Sequence, residues 1–467
     1  MLSKKNKLDE VEEPRKGHAS TYSQRYFDQE IPKYQIPEKS MPANAAYQLI
    51  HDELSMDANA SLNLASFVTT WMEPEVVQLM NENMHKNFID HDEYPQTEII
   101  HNRCINMLAR LFNAPEEANS IGTSTIGSSE AIMLALLAHK WSWKKRRIKE
   151  GKPYDRPNVI FGAEVHVCWE KFARYFDVEM RMVPLAEDCF VLRTDEVEKL
   201  IDENTIAVGA ILGTTYSGQS DPIEQINALL LKIKKERGLD IPLHIDAASG
   251  GFVVPFSKPE FKWDFRLEQV KSINVSGHKY GLVYPGVGWV LWKDESDFPE
   301  ELVFKVDYLG GWMPTYTLNF SRGSNGVLGQ YYNFLRLGKE GYCQIVKNCL
   351  DNASYLSDLL EKSEKFTLIH RGDFLPIVAM KLKKDVKGYT VFDISDLLRE
   401  RGWVMAAYTM PANAEHIALL RVVVRENLSR DMIDVLFADI MKACKTLETK
   451  KREAKKSSSK EKHRPIC

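Results

Sequence analysis

The sequence lacks the features that mark membrane-spanning, secreted and nucleic-acid-binding proteins. Its longest uncharged apolar stretch, residues 280–292, is shorter than the roughly 20 residues that a transmembrane helix needs. The N-terminal residues, MLSKKNKLDEVEE, contain no apolar segment, so a secretory signal is not expected. The net charge is only −4, from 61 basic and 65 acidic residues. This balance gives no reason to expect a nucleic acid or a membrane surface as a partner.

Cysteine is scarce as well. The seven cysteines form no CxxC pair and have no histidine at metal-binding spacing, so neither a disulfide framework nor a metal site is expected. Dispersed cysteines of odd number are typical of reduced thiols, which predicts a cytoplasmic protein. The remaining composition, 44% hydrophobic and 27% charged, is that of a globular protein. A length of 467 residues allows a large core and two structural domains.

Helical and strand-like segments alternate along the middle of the chain. Residues 101–112 and 224–235 have helical character, and residues 128–147 begin with two serines and a glutamate and end in basic residues, the order that a helix dipole favours. Between them lie short buried-strand patterns, which read NVIFGA, TIAVGAILGTT, PLHIDAA, SINVSG and GVGWVLW. Strands that alternate with helices predict an α/β fold with a mostly parallel sheet covered on both faces.

Composition divides the chain into four parts. Residues 1–60 are polar and punctuated by proline, and we interpret them as an N-terminal arm that packs on a partner subunit. Residues 61–340 form the large α/β domain. Residues 341–450, with the segments FLPIVAMKLK, VFDISDLLRERG and IALLRVVVRE, form a smaller C-terminal α+β domain. Residues 451–467 are basic, rich in serine and poor in apolar residues, which predicts a disordered tail.

The strongest chemical signal is the segment SGHKYG, residues 276–281, about 30 residues after HIDAASGG. A carbonyl coenzyme such as pyridoxal phosphate needs a lysine amine for a Schiff base and a carboxylate beside its pyridine nitrogen. Lys279 and Asp246 suit these roles, because ligands of open α/β sheets bind at the carboxyl ends of strands. Taken singly, each has an ordinary interpretation, a solvated lysine and a helix cap.

The segment TSTIGSSEA, residues 123–131, is a candidate phosphate loop. A glycine followed by two serines at a helix start offers backbone N–H groups, hydroxyls and a helix dipole to a phosphate. The same letters also describe a simple N-cap with an early glutamate. The absence of GxxxxGK disfavours a nucleoside triphosphate loop.

Several segments together resemble the bacterial and plant glutamate decarboxylases, a family of pyridoxal phosphate enzymes of fold type I. They are GTSTIGSSEA, CWEKFARYF, HIDAASGGFVVPF, SGHKYGLVYPGVGW and ELVFKVDYLGG. The likeness extends over residues 37–445 in the order of the family. It implies pyridoxal phosphate as the coenzyme and the decarboxylation of L-glutamate to 4-aminobutanoate and CO2 as the reaction.

The resemblance also implies roles for the residues around the coenzyme. Lys279 would be the Schiff-base lysine and Asp246 the partner of the pyridine nitrogen. His166 stands where this subfamily usually has Gln over the coenzyme ring, and Thr215 would lie beside that ring. The phosphate would be held by serines and a histidine, with the last serine reaching it from the neighbouring subunit: Ser128, Ser129, Ser276, His278 and Ser321.

For the substrate, the resemblance implies Arg421 as the ligand of the α-carboxylate, and a fork of N–H donors suits that task. Without the resemblance, Arg421 could equally be a strand arginine in a surface ion pair. The distal carboxylate would meet a second set of residues, namely Ser66, Phe67, Asn87 and Asp90. An aspartate near a substrate carboxylate requires that one of the two be protonated, which predicts a preference for acid pH.

Tyr308, in VDYLGGW, resembles a mobile-loop tyrosine that protonates the α-carbon after CO2 has left, with Lys279 as the competing donor. Gly310 and Gly311 would then act as hinges. The alternative is an ordinary surface turn. Each turnover would consume one proton, which suggests a use in acid resistance.

The tail residue His463 resembles a C-terminal histidine that blocks the active site of some bacterial relatives at neutral pH, and a solvated extension without function is the alternative. Calmodulin binding is not expected, because the tail lacks the apolar face of a calmodulin target. The family builds its site from two chains, so we expect a homo-oligomer, at least a dimer, with a hexamer as a further option.

Three competing functions remain open at this point. The chain could decarboxylate another amino acid, such as aspartate, cysteine sulfinate or an aromatic one, although an aromatic substrate would require a more apolar pocket. A transaminase would share Lys279 and Asp246 but would release no CO2. A catalytically silent scaffold is disfavoured by the retention of Lys279, Asp246 and both phosphate-loop serines.

Overall fold

A computed structural model describes residues 32–307 and 313–461, apart from the side chains of Met313 and residues 450–461. The chain separates into two compact units, one ending at Asn59 and one beginning at Ala60. In the first unit, the helix α1 (Ala43–Leu54) follows Pro42. The second unit contains every other element described below.

A seven-stranded sheet forms the centre of the second unit. Its spatial order is β1-β7-β6-β5-β4-β2-β3, and the strands β2 to β6 run parallel, whereas β7 is antiparallel to both of its neighbours. This arrangement confirms the predicted α/β fold with a mostly parallel sheet. The strands are β1 (Ile121–Thr125), β2 (Asn158–Gly162), β3 (Glu179–Val183), β4 (Thr205–Ile211), β5 (Leu243–Asp246), β6 (Val270–Val275) and β7 (Gly288–Trp292).

Apolar residues cover both faces of this sheet. Along β2, Val159 and Phe161 pack in a cluster with Trp169, whereas Ile160 points to the opposite face and joins the main core. Alternation of this kind follows from the two-residue period of a strand. The helices of this domain are α2 (Pro74–Glu82), α3 (Pro95–Leu111), α4 (Ser128–Lys149), α5 (Cys168–Tyr175), α6 (Thr194–Leu200), α7 (Ile223–Arg237) and α8 (Val254–Ser257).

A second sheet has its own hydrophobic core, which includes Leu356, Met380, Trp403 and Leu436. Its four strands are antiparallel in the order β10-β11-β13-β12. The elements are β10 (Phe366–Arg371), β11 (Ile377–Leu382), β12 (Ala406–Thr409) and β13 (Ala418–Val423), with the helices α10 (Val391–Arg399) and α11 (Arg430–Glu461).

The helix α9 (Asn325–Lys362) passes from the large domain into the small one. Gly338 interrupts it with φ 58° and ψ −170°, a conformation open in practice only to glycine. The first half of α9 contacts α2 and α3, and the second half contacts β10. Val327, Tyr342 and Val346, on both sides of the break, pack in the main core, and Cys349 belongs to the second core.

The final helix departs from the sequence prediction. The backbone of residues 451–461 continues α11 as a helix, where a disordered tail was expected. Four lysines, one arginine, two glutamates and one alanine in this segment have high helix propensity, which extends a helix already anchored by its buried N-terminal half. His463 lies outside the described residues.

A short hairpin of β8 (Phe304–Val306) and β9 (Met313–Thr315) flanks residues 308–312. Tyr308, Gly310 and Gly311 therefore lie outside the described residues, and their roles stay predictions. None of the helices in the described part of the chain is sufficiently long and apolar to cross a bilayer.

Candidate active site

A cavity of about 600 Å³ lies at the carboxyl ends of β4, β5 and β6. The alternating helices and strands dictate this position, because in a parallel sheet the loops that follow neighbouring strands open at the same edge. Eight of the predicted site residues line this one cavity, although they are spread over more than 150 positions of the sequence: Ser128, Ser129, His166, Thr215, Asp246, Ser276, His278 and Lys279.

Lys279 follows β6 and directs its amine into the cavity. Its Nζ donates a hydrogen bond to Ser249 Oγ at 3.2 Å and lies 5.1 Å from the centroid of the Phe67 ring. Burial lowers the pKa of Lys279 from its ordinary value, and the charge of Arg421 acts in the same direction, while Asp246 opposes it. A lower pKa increases the fraction of neutral amine, which is the form that attacks a carbonyl.

Asp246 is the last residue of β5, and only 5% of its surface is exposed. Three N–H groups donate to its carboxylate: the backbone of Ala248 at 3.1 Å, Asn274 Nδ2 at 3.0 Å and Trp169 Nε1 at 3.2 Å. These donors fix the orientation of a buried acceptor and compensate for its loss of water. The carboxylate is thus held in a fixed orientation at the wall of the cavity.

The N-terminus of α4 supplies the predicted phosphate cradle. Ser128 Oγ lies 2.7 Å from Ser276 Oγ, so the serine that starts the helix meets the serine that follows β6. The adjacent His278 uses Nδ1 to donate to the carbonyl of Val287 at 2.8 Å. Burial lowers the pKa of His278, and the neighbouring charge of Lys279 lowers it further. The dipole of a 22-residue helix adds a positive potential at the same point.

Two glycines keep this cradle open. A Cβ at Gly127 would lie 3.1 Å from His278 Cε1, and a Cβ at Gly288 would lie 2.6 Å from the carbonyl carbon of Gly127. The second distance is far inside van der Waals contact, so β7 can approach the loop only with glycine at this position.

His166 follows β2 and borders the cavity with part of its ring exposed. Its Nδ1 accepts a hydrogen bond from the backbone N–H of Cys168 at 3.4 Å. Burial lowers the pKa of His166, and the charge of Asp246 partly opposes this shift. The contact and the pKa direction together favour a neutral ring that carries its proton on Nε2.

Arg421 lies on β13 behind Phe67, and 6% of its surface is exposed. Its guanidinium donates to the backbone carbonyls of Thr215 and Ala65 and stands 4.9 Å from the Phe67 ring. Ser66 Oγ accepts from the backbone N–H of Val68 at 3.1 Å. A buried arginine in these contacts rules out the surface ion pair that the sequence left open.

Three other predicted residues form a separate group away from the cavity. Asn87 Nδ2 donates to Ser321 Oγ at 3.3 Å, and Asn87 Oδ1 accepts from the backbone N–H of Arg322 at 3.2 Å. Asp90 accepts from the backbone N–H of Glu93 at 3.1 Å. None of Asn87, Asp90 and Ser321 lines the cavity of its own chain.

The sequence interpretation missed several residues that serve the site. Ser249, Asn274 and Trp169 supply the contacts to Lys279 and Asp246 described above. Asn274 had a usable signal, since it alternates with two serines inside an otherwise apolar strand. Glu164 also lines the cavity, but the sequence contains no signal for it. Its burial depends on Gly162, because a Cβ at Gly162 would lie 2.1 Å from Glu164 Oε1.

The donor set fits pyridoxal phosphate. The cavity offers one buried amine for an aldehyde, one buried carboxylate for a pyridine nitrogen, and hydroxyls at a helix N-terminus for a phosphate. Among the described residues, no cluster of histidine, cysteine, aspartate or glutamate has the geometry of a metal site.

Comparisons with known proteins agree with this chemistry. A family model described as the pyridoxal-dependent decarboxylase conserved domain matches residues 37–383. Glutamate decarboxylase 1 of Arabidopsis thaliana is 53% identical over 92% of this chain and 86% of that protein. The glutamate decarboxylase of Aliivibrio fischeri is 51% identical over 90% of both chains.

Among solved structures, the glutamate decarboxylase of Lactobacillus brevis superposes with a TM-score of 0.88 at 43% identity, covering 91% of this chain and 97% of that chain. The family model spans well over half of the sequence, and relatives of about 50% identity cover nearly all of it. This chain therefore belongs to the pyridoxal-dependent decarboxylase family, whose coenzyme is pyridoxal phosphate.

Proposed function

We propose that this carboxy-lyase removes the α-carboxylate of L-glutamate and releases 4-aminobutanoate and CO2. The observation that carries the chemistry is the convergence of Lys279 and Asp246 on one cavity beside the serine cradle. The named glutamate decarboxylases, at about 50% identity over most of the chain, support glutamate as the substrate.

Two residues prepare the coenzyme for the reaction. Lys279 is the amine that joins the coenzyme aldehyde, and its lowered pKa favours the neutral form required for that bond. Asp246 would contact the ring nitrogen of the bound coenzyme and keep it protonated. When bound, pyridoxal phosphate supplies an electron sink for the bond between the α-carbon and its carboxylate. Ser128, Ser129, Ser276 and His278, with the N-terminus of α4, hold the phosphate, while His166 and Thr215 position the ring.

The remaining residues select and orient the substrate. Arg421 would bind a carboxylate, and the Phe67 ring lies near both Arg421 and Lys279. Holding the breaking bond perpendicular to the coenzyme ring is the main geometric task of these contacts. Lys279 would return a proton to the α-carbon after CO2 has left, and Tyr308 is the alternative donor.

We also infer that the active unit is a homo-oligomer, at least a dimer. Asn87, Asp90 and Ser321 form one group that stays apart from the cavity of their own chain. The likeness to the glutamate decarboxylases supports a site completed by a neighbouring subunit, in which Ser321 would reach the phosphate and Asn87 and Asp90 would reach the distal carboxylate.

A cytoplasmic location is supported by the six described cysteines, all of which carry free thiols. Replacement of the carboxylate by a proton consumes one proton per turnover. The reaction therefore raises the pH of its compartment, which supports a role in acid resistance.

The proposal is tested by supplying the holoenzyme with L-glutamate, L-aspartate, L-cysteine sulfinate or L-tryptophan and measuring CO2 and the amine product. We expect equal amounts of CO2 and 4-aminobutanoate from glutamate and little turnover of the others. Formation of a keto acid without CO2 would show a transaminase instead.

The substitution Lys279→Ala should remove the visible absorbance of the bound coenzyme and lower kcat by at least roughly a thousandfold. The matched control is Lys235→Ala, an exposed lysine on α7, which should retain both properties. A Lys279→Ala variant with substantial activity would contradict the assignment.

A further inference from the structure

Asp246 stands at one end of a row of buried polar side chains. The other members lie on β5, β6 and α4 and are almost inaccessible, with 0% exposure for three of them and 3% for the fourth: His244, Ser272, Asn274 and His139. Polar groups at this depth are retained in proteins only when their hydrogen bonds are satisfied.

The strand register produces this row. His244 and Asp246 are two residues apart on β5, so they point to the same face of the sheet, as do Ser272 and Asn274 on β6. The parallel pairing places His244 opposite Ser272 and Asp246 opposite Asn274. His139 reaches this face from α4, the helix whose N-terminus forms the phosphate cradle.

Four hydrogen bonds connect the row without a gap. His139 Nε2 lies 2.7 Å from Ser272 Oγ, which lies 2.7 Å from His244 Nδ1. His244 Nε2 lies 2.9 Å from Asn274 Oδ1, and Asn274 Nδ2 lies 3.0 Å from Asp246 Oδ1.

The carboxylate sets the direction of every bond. Asp246 can only accept, so Asn274 presents its NH2 group to it and its oxygen to His244. His244 must then carry its proton on Nε2, which leaves Nδ1 as an acceptor for the Ser272 hydroxyl. Because a hydroxyl has a single proton, His139 has to donate from Nε2 to Ser272.

This assignment requires both histidines to be neutral. Burial lowers the pKa of His139 to about 3, and the charges of His244 and Lys271 act in the same direction. Burial likewise lowers the pKa of His244 to about 4, although Asp246 partly opposes the shift. Both rings are therefore uncharged near neutral pH, and each has one donor and one acceptor nitrogen.

We propose that His139, Ser272, His244 and Asn274 are positioning residues that act as one directed hydrogen-bond chain on Asp246. The chain orients the carboxylate toward the coenzyme ring, and its aligned hydrogen bonds strengthen this effect because they polarise one another. It also ties Asp246 to α4, so the group that contacts the ring nitrogen and the helix that holds the phosphate keep a fixed relative position. This inference rests on the proposed contact between Asp246 and the ring nitrogen.

The first test compares Ser272→Ala with Ser272→Thr. Alanine removes the hydroxyl that links the two histidines, whereas threonine retains it. We expect Ser272→Ala to weaken the affinity of the apoenzyme for pyridoxal phosphate roughly five- to tenfold and to shift the pH midpoint of the visible absorbance, with Thr close to the wild type. An unchanged dissociation constant and midpoint in Ser272→Ala, or an equal loss in both variants, would overturn the proposal.

A second pair of variants, at His139, controls for a folding defect caused by substitution of the buried Ser272. His139 does not line the active-site cavity. His139→Leu removes the donor, whereas His139→Gln can place an amide N–H near the same point. Only the leucine variant should show a weaker affinity for pyridoxal phosphate and a shifted pH midpoint of the visible absorbance. The melting temperature of the glutamine variant should be unchanged. Equal coenzyme affinities and equal midpoints in the two variants would contradict the proposed hydrogen-bond chain.

An Asp246→Ala variant distinguishes a failure of the hydrogen-bond chain from a failure of the proposed role of Asp246. If Asp246→Ala binds the coenzyme as tightly as the wild type, the proposed role of Asp246 is wrong. If Asp246→Ala loses affinity while Ser272→Ala and His139→Leu do not, the role of Asp246 stands and only the chain is refuted.

Discussion

Glu164 and Asp221 form a buried acid pair at the edge of the active-site cavity. Each is 1% exposed, and Asp221 accepts backbone N–H groups from Leu192 at 2.9 Å and Ile211 at 2.7 Å. Burial raises the pKa of Glu164 well above its usual range, and the charge of Asp221 raises it further. Burial also raises the pKa of Asp221 to about 6. Both acids therefore favour their protonated forms in the folded state more strongly than exposed acids do.

The raised pKa values of the two acids make stability dependent on pH. Since both pKa values are raised in the folded state, the pair contributes fully to stability below about pH 4, and this contribution falls as pH rises through about 6. The Glu164→Gln variant cannot titrate at this position and keeps a side chain of nearly the same size. Between pH 4 and 7, we expect the wild type to lose roughly 1–3 kcal/mol more unfolding free energy than Glu164→Gln.

Urea denaturation at several pH values measures this difference. The control is Glu236→Gln, an exposed acid near the end of α7, which should leave the pH dependence unchanged. Parallel curves for Glu164→Gln and the wild type would show that Glu164 does not titrate with a raised pKa in the folded state.

The backbone geometry of the break in α9 is what requires glycine at position 338. A Cβ at this position would meet nothing within 4 Å, so crowding does not explain the glycine. The φ of 58° with ψ −170° is instead strained for any residue with a side chain. We expect Gly338→Ala to lower the unfolding free energy by about 1–3 kcal/mol.

Lys339→Ala is the matched control, because this exposed neighbour of Gly338 lies in the same helix. Alanine favours helix slightly, so the control should be neutral or weakly stabilising in chemical denaturation. If Gly338→Ala were as stable as Lys339→Ala, the helix would have to continue unbroken through this position.

The strands that the sequence did not identify are all edge strands. β1 and β3 lie at the two edges of the large sheet, and β10 and β12 lie at the two edges of the small one. Central parallel strands are buried on both faces and have continuous apolar runs, as β4 has. An edge strand such as β3, with the sequence EMRMV, is largely exposed and lacks that pattern.

The proposed assembly can be tested by complementation between two variants of low activity. If Ser321 acts on the neighbouring subunit, an inactive Lys279→Ala chain and a Ser321→Asp chain should complement each other when co-expressed. Ser321→Asp places a negative charge near the phosphate and should itself be poorly active. Random pairing makes half of the dimers mixed, each with one intact site of two, so we expect about a quarter of wild-type activity.

Activity of the co-expressed chains, measured per subunit against each variant alone, decides the matter. A mixture no more active than the sum of its parts would mean that Ser321 serves the site of its own chain. As a control, Lys279→Ala chains expressed alone should stay inactive.

Local sequence determined the central strands, the main helices and the identity of the chemical groups. Lys279, Asp246 and the serines of the phosphate loop were identifiable because their types and order are demanded by the coenzyme. The helix content of residues 451–461 was missed, because composition alone does not separate a polar helix extension from a disordered tail.

Only the tertiary structure decided which polar side chains support these groups. The contact of Trp169 with Asp246, the row from His139 to Asn274 and the pair of Glu164 with Asp221 each join residues from different elements. Their roles arise from strand register and burial, which depend on how distant segments pack. A linear pattern contains residue types and spacing, whereas hydrogen-bond partners and dielectric surroundings exist only once the chain is folded.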